Sequence, residues 1–217
     1  MSNVFAVSGQ HYLFSVQTFA HTVLSAGGDS YSYAFRSGTT QGVIDDVAQG
    51  KSELGVLFQT SESAAELDAA FAKAGVKFEV LAESAPQVAL PKSHPLVNAK
   101  SLSLDALSDY PYVYFEQEEG AGPAFAEEAL ASVSRSKSIA VTDRASLSEL
   151  IVALNGYNVT SGILVGISDG SALATVPLET DVKLRLGVIV KEGEQLSALG
   201  ERFLSGLKSN LEKYARL

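Results

Sequence analysis

The sequence predicts an α/β protein of two Rossmann-like lobes, joined by two crossing strands, with a ligand cleft between the lobes. Short apolar runs alternate with segments of helical periodicity along the chain, which is typical of parallel sheets covered by helices. Two modules of this kind follow one another, and an amphipathic segment ends the chain. These observations together predict the fold class, and each element is justified below.

The first module opens with an apolar run and a polar turn, after which the apolar spacing becomes that of a helix. Gly27, Gly28 and Asp29 end this helix. The alternation continues until Pro91 and Pro95 impose a turn-rich loop. The predicted strands are 4–7, 31–35, 53–58, 77–81 and 87–90, and the predicted helices are 12–24, 37–47 and 62–74.

The second module shows the same alternation, although no convincing sequence repeat relates it to the first. A short helix is expected near Leu104. Ser146 and Glu149 have the spacing of a capping box and predict a helix start at Ser146. The predicted strands are 112–115, 139–142 and 163–165, and the predicted longer helices are 122–133 and 146–154.

The end of the chain decides the domain organisation. Residues 183–190 alternate as a strand does, and residues 196–211 form a long amphipathic pattern. If this last helix packs on the first module, the chain crosses between modules twice, and two crossings make a hinge around a cleft. We therefore predict a first lobe of residues 1–85 with 188–217, and a second lobe of residues 86–187.

Composition limits the classes of function. The chain has 217 residues, a net charge of −9 and no cysteine, so disulfides and thiolate chemistry are excluded. An acidic surface repels phosphate backbones, and we expect no nucleic-acid contact by this chain alone. No signal peptide and no apolar run near the ~18 residues of a membrane span is visible. These features favour a cytoplasmic protein that does not bind membranes.

No catalytic or metal-binding constellation stands out. The three histidines, His11, His21 and His94, lack metal-ligand spacing. The adjacent carboxylates at 118–119 and 127–128 are interpreted as solvated charge, because neighbours on a helix do not share a face. Nucleophile elbows, phosphate loops and dinucleotide fingerprints are absent. We therefore predict neither a catalytic residue, nor a metal ligand, nor a cofactor.

Candidate ligand-binding residues follow strands, because ligands of open α/β sheets bind beyond the carboxyl ends of strands, where helix N-termini gather. Ser8 and Gln10 follow the first strand. Thr142 and Asp143 follow a strand of the second module. The stretch that best suits a carboxylate or phosphate is Arg36, Ser37, Thr39 and Thr40.

Further candidates lie at other strand ends, where an apolar wall and a few polar groups together suit a small molecule. They are Phe58, Gln87, Gln117 and Thr160. Each candidate also fits a plainer structural interpretation, since Ser, Thr and Asp are common helix caps and turn residues, and phenylalanine is usually core.

Several stretches resemble the effector-binding domain of LysR-type transcriptional regulators. They are 5–19, 35–40 (FRSGTT), 50–56 (GKSELGV), 87–96 (QVALPKSHPL), 104–113 and 162–166 (GILVG). Their order and spacing carry the resemblance, which covers nearly the whole chain, while each motif alone consists of common residues. One departure is Glu53, at a position where the family commonly has aspartate.

The resemblance implies a type 2 periplasmic-binding-protein-like fold that binds a small, anionic effector between its lobes, with contacts at 36–40. It also implies a homodimer. The family's winged helix-turn-helix has no counterpart in this sequence, so we expect DNA to be contacted only through a missing N-terminal domain. A solute-binding protein of a transport system is the alternative, and an enzyme on the same scaffold is a third possibility.

Overall fold

The computed structural model describes residues 5–165 and 172–214. Its strands are β1 (Ala6–Gly9), β2 (Ala34–Ser37), β3 (Leu54–Thr60), β4 (Val76–Ser84), β5 (Gln87–Pro91), β6 (Tyr112–Phe115), β7 (Ser138–Val141), β8 (Asn158–Thr160), β9 (Leu173–Pro177) and β10 (Leu184–Lys191). Its helices are α1 (Leu13–Ala26), α2 (Thr40–Ala48), α3 (Ala64–Ala74), α4 (Arg144–Ala153) and α5 (Ala198–Tyr214), with 3-10 turns at Asp105–Leu107 and Pro123–Phe125.

The first lobe is built on a five-stranded sheet in the order β2-β1-β3-β10-β4. Strand β1 runs parallel to β2 and β3, as predicted, whereas β10 runs antiparallel to both β3 and β4. Helix α2 approaches this sheet closely at Gly55, where a Cβ atom would lie 2.6 Å from Val43 and 2.9 Å from Ile189. Only glycine therefore allows this helix to pack at its observed distance.

The second lobe contains a three-stranded sheet, β8-β5-β9, and a parallel pair, β6-β7. The chain enters this lobe between β4 and β5 and leaves it between β9 and β10. Two crossing segments thus connect the lobes, as the sequence predicts. The proposed boundaries, 1–85 with 188–217 and 86–187, stay a prediction; strand β10 pairs with β3 from Leu184 onward.

The tail returns to the first lobe, which was the condition for a two-lobed fold. Helix α5 packs along α1, where the Asn210 amide donates to Thr18 Oγ1 at 2.9 Å and Arg202 donates to the Ser25 carbonyl at 2.7 Å. Apolar residues of α5 such as Phe203 and Leu207 are fully buried in the main core. Burial of this face stabilises the helix far more than its intrinsic propensity.

Two predicted elements are wrong, and a third begins earlier than predicted. Residues 122–133 form one 3-10 turn and irregular chain instead of a helix. Residues 163–165 are irregular, and the strands on either side of them, β8 and β9, lie in segments for which no strand was predicted. Helix α4 is present but begins at Arg144, two residues before the predicted start, because Asp143 caps it and takes the place of the expected Ser146 cap. Val4 and Gly166, from two predicted stretches, lie outside the described residues.

Candidate functional site

The carboxyl ends of β1, β2 and β3 meet at one edge of the first sheet, and Gln10 ties them together. Its Oε1 accepts a hydrogen bond from the Phe58 amide at 3.0 Å, and its Nε2 donates to Thr40 Oγ1 at 2.6 Å. The Gln10 side chain is almost fully buried, so both of its polar atoms need these partners. Gln10 thereby fixes the start of α2 relative to strands β1 and β3.

The start of α2 makes hydrogen bonds to the second lobe. Thr39 caps the helix, accepting from the Gly42 amide at 3.1 Å, and its hydroxyl also donates to Glu118 at 3.0 Å. The Thr40 amide donates to Gln117 Oε1 at 3.1 Å. The Thr40 hydroxyl donates to the Phe125 carbonyl at 2.7 Å. The unpaired N–H groups of this helix end therefore face polar groups of the other lobe.

The start of α1 holds a carboxylate from the second lobe. Glu127 accepts a hydrogen bond from the His11 amide at 3.0 Å, and its other oxygen lies 3.0 Å from His11 Nδ1. The His11 ring stacks on Phe115, with centroids 4.2 Å apart. Tyr12, at the N-cap, makes no side-chain capping bond, and only 6% of Glu127 is exposed. The positive end of α1 is thus neutralised by a carboxylate that belongs to the chain.

The next residue, Glu128, is a buried acid that faces the other way. Its Oε1 accepts hydrogen bonds from the Phe115 amide at 3.0 Å and from Asn158 at 3.1 Å. Its Oε2 has no hydrogen-bond partner among the described residues. Burial, and secondarily the charge of Glu127, raise the pKa of Glu128 to about 8. The carboxyl is therefore mainly protonated at neutral pH.

A third helix start approaches the same place. Asp143 caps α4, and the hydrogen bonds that it accepts from the Ser146 hydroxyl and amide lower its pKa, with a smaller contribution from His11. The pKa of the Tyr12 phenol is raised, first by burial and then by Glu127 and Glu128. The starts of α1 and α4 and the two glutamates consequently form one electrostatically coupled group.

A cavity of about 410 Å³ lies between the lobes beside this group. Thr60 and Ser63 line it from the first lobe, and Glu128 and the surrounding chain line it from the second. Small-molecule sites usually have volumes of ~300–1,000 Å³. The volume of the cavity lies within that range, although its lining includes Glu128 and not Gln10, His11 or Gln117.

The structure brings several predicted ligand residues together. Gln10, Thr39, Thr40 and Gln117 form one hydrogen-bonded cluster across the cleft. Phe58 joins this cluster through its main-chain amide, while its ring meets Tyr12 edge-on. Among the residues that the structure describes, Asp143 is not hydrogen-bonded to this cluster; its carboxylate caps α4 through the Ser146 amide.

Other predicted residues lie elsewhere. Ser8 binds Asp46, and Arg36 donates to the Lys51 carbonyl, so both side chains point to the C-terminal end of α2. Ser37 and Thr142 are exposed at strand ends. Gln87 and Thr160 are paired neighbours on β5 and β8, and Gln87 lines a separate cavity near the crossing segments.

The sequence interpretation missed the glutamates. Glu127 and Glu128 were expected to be solvated and are instead almost fully buried. The apolar residues around them, Ala126, Ala129 and Leu130, were a signal of burial that the predicted helix over 122–133 did not take into account. His11 was noticed only as part of the turn after β1, because its partner is 116 residues away in sequence.

We call residues 116–130 the acidic segment, since it contains five of the chain's glutamates. It runs from the end of β6 past the starts of α1 and α2. Within the part of the chain that the structure describes, no helix has the length and apolar character to cross a membrane, and no cluster of three acidic or histidine side chains is arranged to hold a metal ion.

Comparison with solved structures supports the fold. HinK, a LysR family transcriptional regulator from Pseudomonas aeruginosa, has a TM-score of 0.68 and 15% identity, over 99% of this chain and 72% of that one. The effector binding domain of QuiR in complex with shikimate gives 0.62 and 14%, over 99% of both chains. The reduced regulatory domain of OxyR from Pseudomonas aeruginosa gives 0.65 and 13%, over 94% and 96%.

At these identities the structural likeness establishes the fold and nothing finer. No match to a curated protein sequence was found. The model of the family described as the LysR substrate binding domain, by contrast, matches residues 32–212, which is most of the chain and includes α2, the acidic segment and both crossings. The chain therefore belongs to the LysR substrate binding domain family, the effector-binding domains of LysR-type transcriptional regulators.

Proposed function

We propose that this effector-binding domain senses a small anionic metabolite in the cleft between its lobes, at the starts of α1 and α2. The single observation that carries the proposal is the binding of the Glu127 carboxylate by the amide and ring of His11 at the start of α1. We call this position of the carboxylate the seat. A site that holds one carboxylate in a buried position has the donors that another carboxylate needs.

Four side chains around this seat are proposed to orient the ligand: Gln10, Thr39, Thr40 and Gln117. Gln10 and Thr40 act indirectly, because both polar atoms of Gln10 and the Thr40 hydroxyl are already bonded and fix the start of α2. Thr39 and Gln117 carry the groups that would meet the ligand. The neutral carboxyl of Glu128 adds a polar group without a second negative charge. Polar groups that converge in a partly apolar cleft give specificity in small-molecule sites.

An effector that contacts both lobes acts only through its preference for one arrangement of them. We propose that this preference is passed to a homodimer, and from there to DNA through a domain outside this chain. Binding without catalysis, in the cytoplasm, is part of the same proposal. The transport alternative is not favoured, because the family match is to a regulator domain.

The proposal is tested by thermal unfolding in a panel of small organic acids, including shikimate, with neutral amides of the same shape as controls. A true ligand at ~100 times its Kd stabilises the folded state by about 2.7 kcal/mol. Gln117→Ala should weaken the response at least about tenfold, since a charge-assisted or neutral hydrogen bond at the ligand is lost.

Gln41→Ala is the matched control, because the Gln41 amide bonds only to Asp45 of its own helix among the contacts seen. It should leave the affinity for any ligand unchanged. If no acid of the panel stabilises the wild type against thermal unfolding, the proposal is contradicted. A ligand that binds Gln117→Ala and Gln41→Ala as tightly as it binds the wild type would show that the site lies elsewhere.

A further inference from the structure

The acidic segment occupies the place that the proposed ligand needs. We infer that the Glu127 carboxylate is a built-in substitute for the carboxylate of the effector, and that a carboxylate effector binds by displacing Glu127 from His11. This inference rests on the proposed function and adds to it a ligand class, the small carboxylates, and a competing group within the chain.

The contacts of Glu127 are those of a bound ligand. One oxygen accepts from the His11 amide at 3.0 Å. The other lies 3.0 Å from His11 Nδ1 and 3.5 Å from the Gln117 amide nitrogen. A main-chain N–H, an imidazole and a carboxamide thus surround both oxygens, in a place where only 6% of the residue is exposed. A free carboxylate of similar size meets the same three donors if Glu127 leaves.

The acidic segment depends on the first lobe for its conformation. Apart from the 3-10 turn at Pro123–Phe125, it has no regular structure. Its bonds to Thr39, Thr40 and His11 all cross the cleft. Because these bonds cross the cleft, the conformation of the segment is coupled to the arrangement of the lobes.

Glu128 provides the fixed end. Its carboxyl is held by the Phe115 amide and by Asn158, which both belong to the second lobe. Glu127 can therefore leave His11 while the next residue stays in place. Displacement changes the contacts between lobes at one point only, and this is how a small ligand comes to bias the lobe arrangement.

Competition of this kind reduces the apparent affinity of the effector by the fraction of time for which the site is vacant. Removal of the Glu127 carboxylate abolishes the competition and vacates the seat. The Glu127→Ala variant is therefore expected to bind carboxylates that the wild type does not, including acetate, which has little more than the carboxylate itself.

The test is thermal unfolding of Glu127→Ala in sodium acetate, with sodium chloride at equal ionic strength and acetamide as controls. Acetate should raise the midpoint of this variant by about 3 °C at ten times its Kd and should leave the wild type unchanged. Glu119→Ala removes an exposed carboxylate of the same segment and should behave as the wild type does. An amide chemical-shift change at His11 on addition of acetate locates the binding.

Equal responses to acetate and chloride, or an acetate response shared by the wild type or Glu119→Ala, would overturn the inference. If Glu127→Ala does not fold, Glu127→Gln keeps the shape and lacks the charge. Any carboxylate that binds the wild type should then bind Glu127→Gln about tenfold more tightly.

The two proposals fail in different ways. Acetate binding to Glu127→Ala supports the substitute role even if the panel yields no wild-type ligand, a result that would count against the proposed function alone. A panel ligand with equal affinity for wild type and Glu127→Gln overturns the substitute role and leaves the proposed function standing.

Discussion

Substitution of Glu128 by glutamine should remove a pH dependence of stability that the buried carboxyl creates. The pKa of this group is raised from 4.5 to about 8 in the folded protein, first by burial and then by Glu127. The folded state consequently binds a proton that the unfolded state has released between these values. Stability from this group is complete below pH 4.5 and is lost as the pH rises through 8.

The magnitude follows from linkage. Between pH 5 and pH 7 the folded carboxyl stays protonated while the unfolded one ionises, so the free energy of unfolding falls by about 2.5 kcal/mol. Glutamine is neutral throughout and can still accept the two bonds that Oε1 accepts from Phe115 and Asn158. Glu128→Gln should therefore lack this slope and gain stability over the wild type as the pH rises.

Urea unfolding of both proteins at several values between pH 5 and pH 8 measures the effect as a difference. The groups that surround Glu128 and affect its charge, chiefly Glu127, Arg144, Tyr12 and Tyr112, are common to both proteins, so the comparison isolates the carboxyl of Glu128. Glu119→Gln, at an exposed site, should show the wild-type slope. A difference between wild type and Glu128→Gln that does not change with pH would refute the reasoning.

Two further substitutions test local features by urea unfolding. Gly55→Ala should destabilise the protein by about 1–3 kcal/mol, because its Cβ would lie 2.6 Å from Val43. Gly38→Ala is the control, since there is open space around Gly38. An equal loss of stability in both variants would contradict the packing argument. Asp143→Ala should cost about 1 kcal/mol through loss of the bond from the Ser146 amide, and Asp143→Asn should retain most of it; unchanged stability in Asp143→Ala would show that the cap is dispensable.

Local pattern predicted most of the fold, since burial and periodicity are tied to each other within single elements. The alternation at 183–190 marks a strand with one side against each layer, and β10 occupies nearly that range. The pattern does not show the direction of a strand relative to its neighbours in the sheet. Strand β10 runs antiparallel to β3 because the chain reaches it from the second lobe without a crossover helix. Strand β8 was missed because three buried residues carry no readable period.

The sequence selected the first-lobe residues of the cluster and Gln117 of the second lobe, but not the two buried glutamates. Gln10, Thr39 and Thr40 were selected because they follow strands, and the plainer interpretation of Thr39, a helix cap, is also confirmed. The part of the site that was not predicted depends on contacts between residues far apart in sequence, such as His11 with Glu127. No local sequence pattern indicates such a pair. A glutamate is expected to be exposed to solvent unless a partner for its charge is known.

The failed helix at 122–133 shows how the site departs from local rules. Alanine, glutamate and leucine are strong helix formers, yet Ala126 is extended, with a ψ of 149°, and the Phe125 carbonyl accepts from Thr40 instead of from its own segment. Tertiary contacts have overridden propensity, and such conflicts concentrate at functional sites.

The irregular conformation is what lets two adjacent glutamates serve opposite lobes. On a helix, neighbours in sequence point about 100° apart and lie on one cylinder, whereas Glu127 and Glu128 lie in a bend that follows the extended Ala126 and are free of that geometry. Glu127 reaches the start of α1 in the first lobe, and Glu128 reaches the end of β6 in the second. A regular helix here would remove at least one of these contacts. The contacts of the two glutamates with opposite lobes therefore explain both why this segment is not helical and how it links the lobes.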